Sequence, residues 1–305
     1  MVYRLDFLKE QNISDKLIQD VIYFRNYYKL KKEFSNRIPQ PQFIYLGKEI
    51  WEMTLTALLN GSHLLLTGPK ATGKNVLCDN LSLVFRRPQW NMSFHVNVDS
   101  NILIGSDTFK DGEVKFRPGP LYLTGREGGF GILDEINMAK NDSISVIHSA
   151  LDYRRVIDVP GYKRLPLHEA TRFIGTMNYG YAGTRELNEA LLSRFLIIDM
   201  PPISKEHLLY ILNKEFSLTE KGSVLFAQLF MDLQKKSLHS EISSKSIDLR
   251  GLLAAIKSAE RGLDLGLALD MGIVNKSFDP FEKEIIKDII KSLFPRNLES
   301  SELFQ

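Results

Sequence analysis

The chain carries one cysteine, Cys78, in 305 residues. A lone thiol closes no internal disulfide, so stability must come from buried apolar surface, and a reducing compartment is the expected setting. Cys78 falls in a helical pattern, where burial is its expected role. Long apolar runs are also missing. None approaches the ~20 residues of a membrane helix, and Met1-Val2-Tyr3-Arg4-Leu5-Asp6 lacks the apolar centre of a signal peptide. These absences lead to the expectation of a cytoplasmic protein. Net charge is scarce too: Lys and Arg number 39 against 37 Asp and Glu, and the balance of +2 exerts no overall pull toward nucleic acid or membrane. Any partner must then be recognised locally. The six histidines, at 63, 95, 148, 168, 207 and 239, never fall at metal-ligand spacing with each other or with Cys78, which argues against structural zinc. No Gly-x-Ser-x-Gly occurs to form a hydrolase nucleophile elbow. There is no fixed-period repeat and no low-complexity tract.

What is present suffices for a full core and more than one domain, with 44% apolar and 25% charged residues. Residues 1–45 read as a helical N-terminal extension, with Asn12-Ile13-Ser14-Asp15 as a helix start and Ile38-Pro39-Gln40-Pro41 as a stop. The basic run Lys29-Leu30-Lys31-Lys32, beside Tyr27 and Tyr28, reads as a solvated helix face rather than a nucleic-acid contact. A helix is expected from Gly47 to Asn60, then a strand through His63-Leu64-Leu65-Leu66-Thr67. Further strands are expected at 93–98, 130–133, 172–177 and 196–200, mostly with helical patterns between them. Such alternation implies a parallel sheet with ligands beyond the carboxyl ends of the strands. Two stretches interrupt it and read as hairpins: 104–122, around Asp111-Gly112, and 153–166, around Pro160-Gly161. From Ser204 onward only helical periodicity remains, which implies a second, smaller domain. The expected division is 1–45, 46–202 and 203–305.

The segment Gly68-Pro69-Lys70-Ala71-Thr72-Gly73-Lys74-Asn75-Val76 follows the first strand and opens a helix, the setting of a phosphate-binding P-loop. Its glycines let backbone N–H groups turn toward phosphates, Lys74 supplies charge, and the helix points its positive end at the anion. Asn75 stands where a Ser or Thr hydroxyl ordinarily meets Mg²⁺. Downstream, Phe130-Gly131-Ile132-Leu133-Asp134-Glu135 is an apolar strand ending in two acids. Asp134 is suited to hold Mg²⁺ and Glu135 to polarise an attacking water. Asn178, closing Gly175-Thr176-Met177-Asn178, can orient that water or contact the terminal phosphate. Arg194, after Leu187-Asn188-Glu189-Ala190-Leu191-Leu192-Ser193, can stabilise transition-state charge in its own subunit or a neighbour's, with Arg185 as a nearby competitor.

These motifs resemble an AAA+ ATPase of the MoxR group, near its CbbQ/NorQ-like branch. The resemblance covers roughly residues 45–265 and rests on Gly68 to Asn75, Ile132-Leu133-Asp134-Glu135-Ile136-Asn137, Thr176 to Gly183 and Leu192-Ser193-Arg194-Phe195. It implies an α/β P-loop NTPase fold, a parallel sheet core with a C-terminal helical lid. It also implies a Walker A, a Walker B, sensor 1 at Asn178, a trans-acting arginine finger at Arg194, and ATP with Mg²⁺ as ligands. Arg250, in Ser246-Ile247-Asp248-Leu249-Arg250, would be the sensor 2 arginine, on a helix that Ser246 is expected to cap. Further implications are a hexameric ring, hairpins facing the pore or substrate, and a chaperone that matures or activates a target complex, often beside a von Willebrand A partner. Two rivals stand against this reading: a nucleic-acid motor or restriction-type subunit, and a nucleotide switch that does not hydrolyse. Asn75 is compatible with slow turnover, since its carbonyl can meet a hard cation. The joint presence of Lys74, Asp134, Glu135, Asn178 and Arg194 favours hydrolysis.

Overall fold

A computed structural model describes residues 5–110, 112–139, 144–179, 187–295 and 297–305. Asp111, Gly180 to Gly183 and Arg185 lie outside the described residues. The chain divides into two compact units, Met1–Pro69 with Gly73–Pro201, and Lys70–Thr72 with Pro202–Gln305.

In chain order the strands are β1 (Leu64–Gly68), β2 (Gln89–Ser93), β3 (Gly105–Lys110), β4 (Glu113–Pro118), β5 (Phe130–Asp134), β6 (Val156–Ile157), β7 (Leu165–Pro166), β8 (Arg172–Asn178) and β9 (Leu196–Asp199). Five of them form one sheet in the order β2-β5-β8-β1-β9, with every pairing parallel. β1 is buried along its whole length, as a central strand covered on both faces must be, and this is why its leucines run without alternation. β9, on the edge, leaves Leu196 and Ile197 half exposed. The strand expected at 93–98 instead occupies Gln89–Ser93. Trp90 and Met92 point inward while Asn91 and Ser93 face out, and the apolar Phe94 and Val98 are buried beyond the strand's end. The polar half of that alternation hid the strand.

Helix Asp15–Tyr27 starts where the Ser14 hydroxyl accepts from the Leu17 N–H. It buries Ile18, Val21 and Phe24, which join Trp51, Leu58, Leu81, Phe85 and Phe130 in one core. The Arg25 guanidinium donates to the carbonyls of Leu83 and Val84. Arg87 donates to those of Tyr28, Glu127 and Gly128. The N-terminal segment is therefore packed into the sheet unit.

Both expected hairpins are observed. β3 pairs β4 antiparallel, with Phe109 opposite Val114, and both side chains are largely exposed. β6 pairs β7 over two residues. The Tyr162 hydroxyl, between β6 and β7, donates to the Asp107 carboxylate on β3 at 2.5 Å, and its ring lies 5.0 Å from that of Phe116 on β4.

The second unit is helical, built on Lys205–Glu215, Glu220–Leu238, Leu249–Glu260, Leu265–Gly272 and Pro280–Leu293. Leu212, Phe226, Phe230, Leu252, Leu269 and Ile286 form its core. Ser246 does not cap the helix as expected. The N-cap residue is Asp248, whose carboxylate is drawn to Lys276 at 3.1 Å, while the buried Ser246 hydroxyl has no partner among the described residues.

Candidate functional site

The register aligns the ends of four strands. Gly68 on β1 pairs with Asn178 on β8, Leu133 on β5 with Gly175, and Ser93 on β2 with Asp134. The P-loop, the two acids and Asn178 therefore leave the sheet along its carboxyl edge, where α/β folds bind ligands. Gly68 has φ +142°, and a Cβ there would lie 2.7 Å from the Met200 carbonyl oxygen. Only glycine fits this close approach. The chain turns through Ala71 at φ +62° and Gly73 at φ +83° before helix Lys74–Phe85 begins. Pro69, Lys70 and Ala71 are half-buried, Thr72 is buried, Asn75 is exposed and Val76 is half-buried.

The Lys74 ammonium folds back to donate to the carbonyls of Gly68 at 2.9 Å and Pro69 at 2.7 Å. Burial pushes its pKa from 10.5 down to about 8, against the upward pull of Asp134, Asp199 and Glu135. Because the folded value is the lower one, the unfolded chain binds more protons between these limits, and the free protein gains stability as pH rises from about 8 to 10.5. A phosphate held by Lys74 would run the other way, since it would need the protonated form. Affinity for a nucleotide triphosphate should fall as pH rises beyond about 8, by up to about tenfold per unit. Calorimetric titration across pH 7 to 10 measures this, and a Lys74→Met variant should lose the slope. An equal slope in both proteins would assign the proton to another group.

Four residues expected in the site come together with two that were not. The Asn75 amide Nδ2 lies 3.4 Å from Asp134 Oδ2. Asp134 Oδ1 accepts from the Thr176 hydroxyl at 2.6 Å, and the same hydroxyl accepts from the Glu135 N–H at 3.0 Å. Glu135 sits in the left-handed region at φ +54°, ψ +45°, an arrangement costing a non-glycine residue on the order of 1 kcal/mol. Asn178 Nδ2 approaches Glu135 Oε1 at 3.4 Å, and the buried Asn137 amide donates to the Asn178 carbonyl at 3.0 Å. Thr176 and Asn137 lie inside the motifs without having been assigned roles, because their work depends on strand register. Asp199, at the end of β9, was also missed: its Oδ1 accepts from the hydroxyls of Thr67 at 3.1 Å and Tyr179 at 2.9 Å.

The donor set suits a hard divalent cation. Asp134 offers a carboxylate, and Asn75, whose Nδ2 faces that carboxylate here, carries an amide oxygen that a turn of its side chain would present; the described residues hold no group of three or more acids, histidines or cysteines that would make an all-protein cage. That combination fits Mg²⁺, which keeps waters and substrate phosphates around one or two carboxylates.

Arg194 is not brought to this edge. It precedes Leu196, which registers with Leu64 at the opposite end of β1, so the length of β1, about 13 Å, separates it from Gly68. Its guanidinium bonds the Ala190 carbonyl and lies 3.4 Å from Asp152 Oδ2. Hydrogen bonds from Arg154 above all, and from Arg194, hold the Asp152 carboxyl down to about 2. Arg250 is exposed on the first turn of its helix in the second unit.

The family model for the AAA domain (dynein-related subfamily) matches residues 63–195. Uncharacterized protein YojN of Bacillus subtilis (strain 168) is 32% identical over 272 residues, covering 87% of this chain and 89% of that protein. An uncharacterized protein of Staphylococcus aureus (strain USA300) is 32% identical over 247 residues, 76% of this chain and 90% of its own. A solved structure from Cytophaga hutchinsonii aligns with 90% of this chain and 96% of its own at 16% identity and a TM-score of 0.46, too loose a likeness to inform function.

Proposed function

We propose, starting from a chain that belongs to the AAA family together with YojN of Bacillus subtilis, that this protein hydrolyses ATP to drive the remodelling of a partner protein complex. The observation that carries the hydrolytic reading is the convergence of Asn75, Asp134, Glu135 and Asn178 beside Lys74 on one edge of the sheet. Lys74 would exchange its two loop carbonyls for the outer phosphates. Asp134 and Asn75 would hold Mg²⁺, which when bound neutralises charge on the β- and γ-phosphates. Glu135 would accept the proton of an attacking water that Asn178 orients. Arg194 would act on a neighbouring subunit's nucleotide, a role supported by its place at the far end of β1 from its own P-loop.

A site completed by a neighbour implies a closed ring, and we carry the hexamer as part of the proposal. The MoxR-like branch, the chaperone role, a von Willebrand A partner and Arg250 as sensor 2 rest on the motifs alone. Purified protein given ATP and Mg²⁺ should release phosphate, at a rate per chain that rises with protein concentration as subunits assemble. Tight ATP binding with no release at any concentration would instead establish a nucleotide switch. Release that needs DNA and collapses with added salt would favour the nucleic-acid motor.

A further inference from the structure

Two acids at a strand end must be aimed separately if one is to hold a cation and the other to handle a proton. Asp134 belongs to β5, whereas Glu135 has already turned out of it in a left-handed conformation that glutamate does not prefer. The backbone holds the two carbonyls of that turn, with the Phe94 N–H on Asp134 at 2.9 Å and the Met138 N–H on Glu135 at 2.8 Å, but these bonds leave the Asp134 carboxylate and the Glu135 N–H to other partners. The group that spans it comes from the neighbouring strand. Thr176 is one position beyond Gly175, the partner of Leu133, which sets it beside Asp134, and it is 2% exposed. Its hydroxyl is used in both directions, donating to the Asp134 carboxylate at 2.6 Å and accepting from the Glu135 N–H at 3.0 Å.

We propose that Thr176 is a positioning residue of the hydrolytic site, whose single hydroxyl fixes the Asp134 carboxylate for the cation and pins the Glu135 backbone for its side chain's approach to water. The proposal rests on the ATPase reading. The bond to Thr176 Oγ1 occupies Oδ1, so Asp134 turns Oδ2 toward Asn75. The bond from the Glu135 N–H closes a short ring through Oγ1, which ties the orientation of one acid to that of the other. A valine at 176 keeps the shape and loses both bonds; a serine keeps both bonds and loses a methyl.

The experiment compares Thr176→Val and Thr176→Ser with the parent in the full chain. It measures phosphate release, the KM for ATP, ATP binding without the cation, the thermal midpoint, and Mn²⁺ affinity by electron paramagnetic resonance in the presence of a non-hydrolysable ATP analogue. Thr176→Val should lower kcat and Mn²⁺ affinity by about 10- to 100-fold each, the usual effect of removing a group that orients a metal ligand. ATP binding without the cation should stay within about threefold, because Lys74 and the loop carry phosphate binding, whereas the KM for ATP with the cation should rise in step with the weakened Mn²⁺ affinity. Thr176→Ser should restore kcat and Mn²⁺ affinity. Equal losses in both variants would assign Thr176 to packing and overturn the proposal, as would a valine variant with parental kcat and Mn²⁺ affinity. A parent that binds Mn²⁺ and the analogue without turnover would overturn the ATPase reading alone. The Mn²⁺ comparison would then decide the cation half of the proposal by itself.

Discussion

Replacing Glu135 with Gln should leave ATP binding within about threefold of the parent while phosphate release falls by about 10²- to 10⁴-fold, the usual span for losing a general base. The contacts seen at Glu135 explain why the two effects separate. Its backbone N–H is held by Thr176, and its Oε1 is approached by Asn178 Nδ2 at 3.4 Å. Glutamine retains the backbone bond and an oxygen for Asn178. It cannot take a proton from water. Among the described residues the hydrogen bonds of Glu135 go to Thr176, Asn178 and Met138 and not to the P-loop backbone, so the phosphate cradle stays intact. Filter binding of labelled ATP set beside a phosphate-release assay reads both quantities. A variant that turns over at the parental rate would remove Glu135 from the mechanism, and one that fails to bind ATP would make it part of the cradle.

Arg194→Ala should lose turnover by about 10³-fold or more, as expected for an arginine finger, and the loss should be reversible by mixing. In a ring whose sites lie between subunits, a site built on the Arg194→Ala chain has an intact Glu135, and a neighbouring Glu135→Gln chain supplies an intact Arg194. Equal amounts of the two inactive proteins, co-assembled at random, should regain roughly a quarter of the parental activity. A finger acting within its own chain would give no recovery. The fold should tolerate the change, since Arg154 meets both oxygens of Asp152 and keeps that carboxylate satisfied. A collapse in thermal midpoint would identify Arg194 as a structural tie to Asp152.

The parts of the fold that were readable in advance are those that local physics specifies. The uninterrupted leucines of β1, the apolar run into Asp134 and the turn residues of the hairpins each pointed to their own element. So did the glycine-bounded loop before Lys74, because a phosphate cradle needs particular residues at fixed spacing. What escaped was set by neighbours. β2 was displaced because Gln89 and Asn91 interrupt its apolarity, while Phe94 and Val98 are buried without being in a strand. Ser246 carries the right chemistry for a cap, yet the helix begins two residues later, where Lys276 draws on Asp248. Thr176, Asn137 and Asp199 matter only once strand ends are aligned side by side, and single-chain periodicity carries no register. Arg194 was recognisable as a residue type in a motif. Its distance from its own P-loop was a property of the sheet.

The two insertions meet at Tyr162, through one exposed hydroxyl on Asp107 and one tilted ring contact with Phe116. Water competes for both contacts, so the join behaves like a clutch and not a weld. With the clutch engaged, a pull on the tip bearing Phe109 and Val114 is shared with the second hairpin. Disengaged, each hairpin follows only its own root.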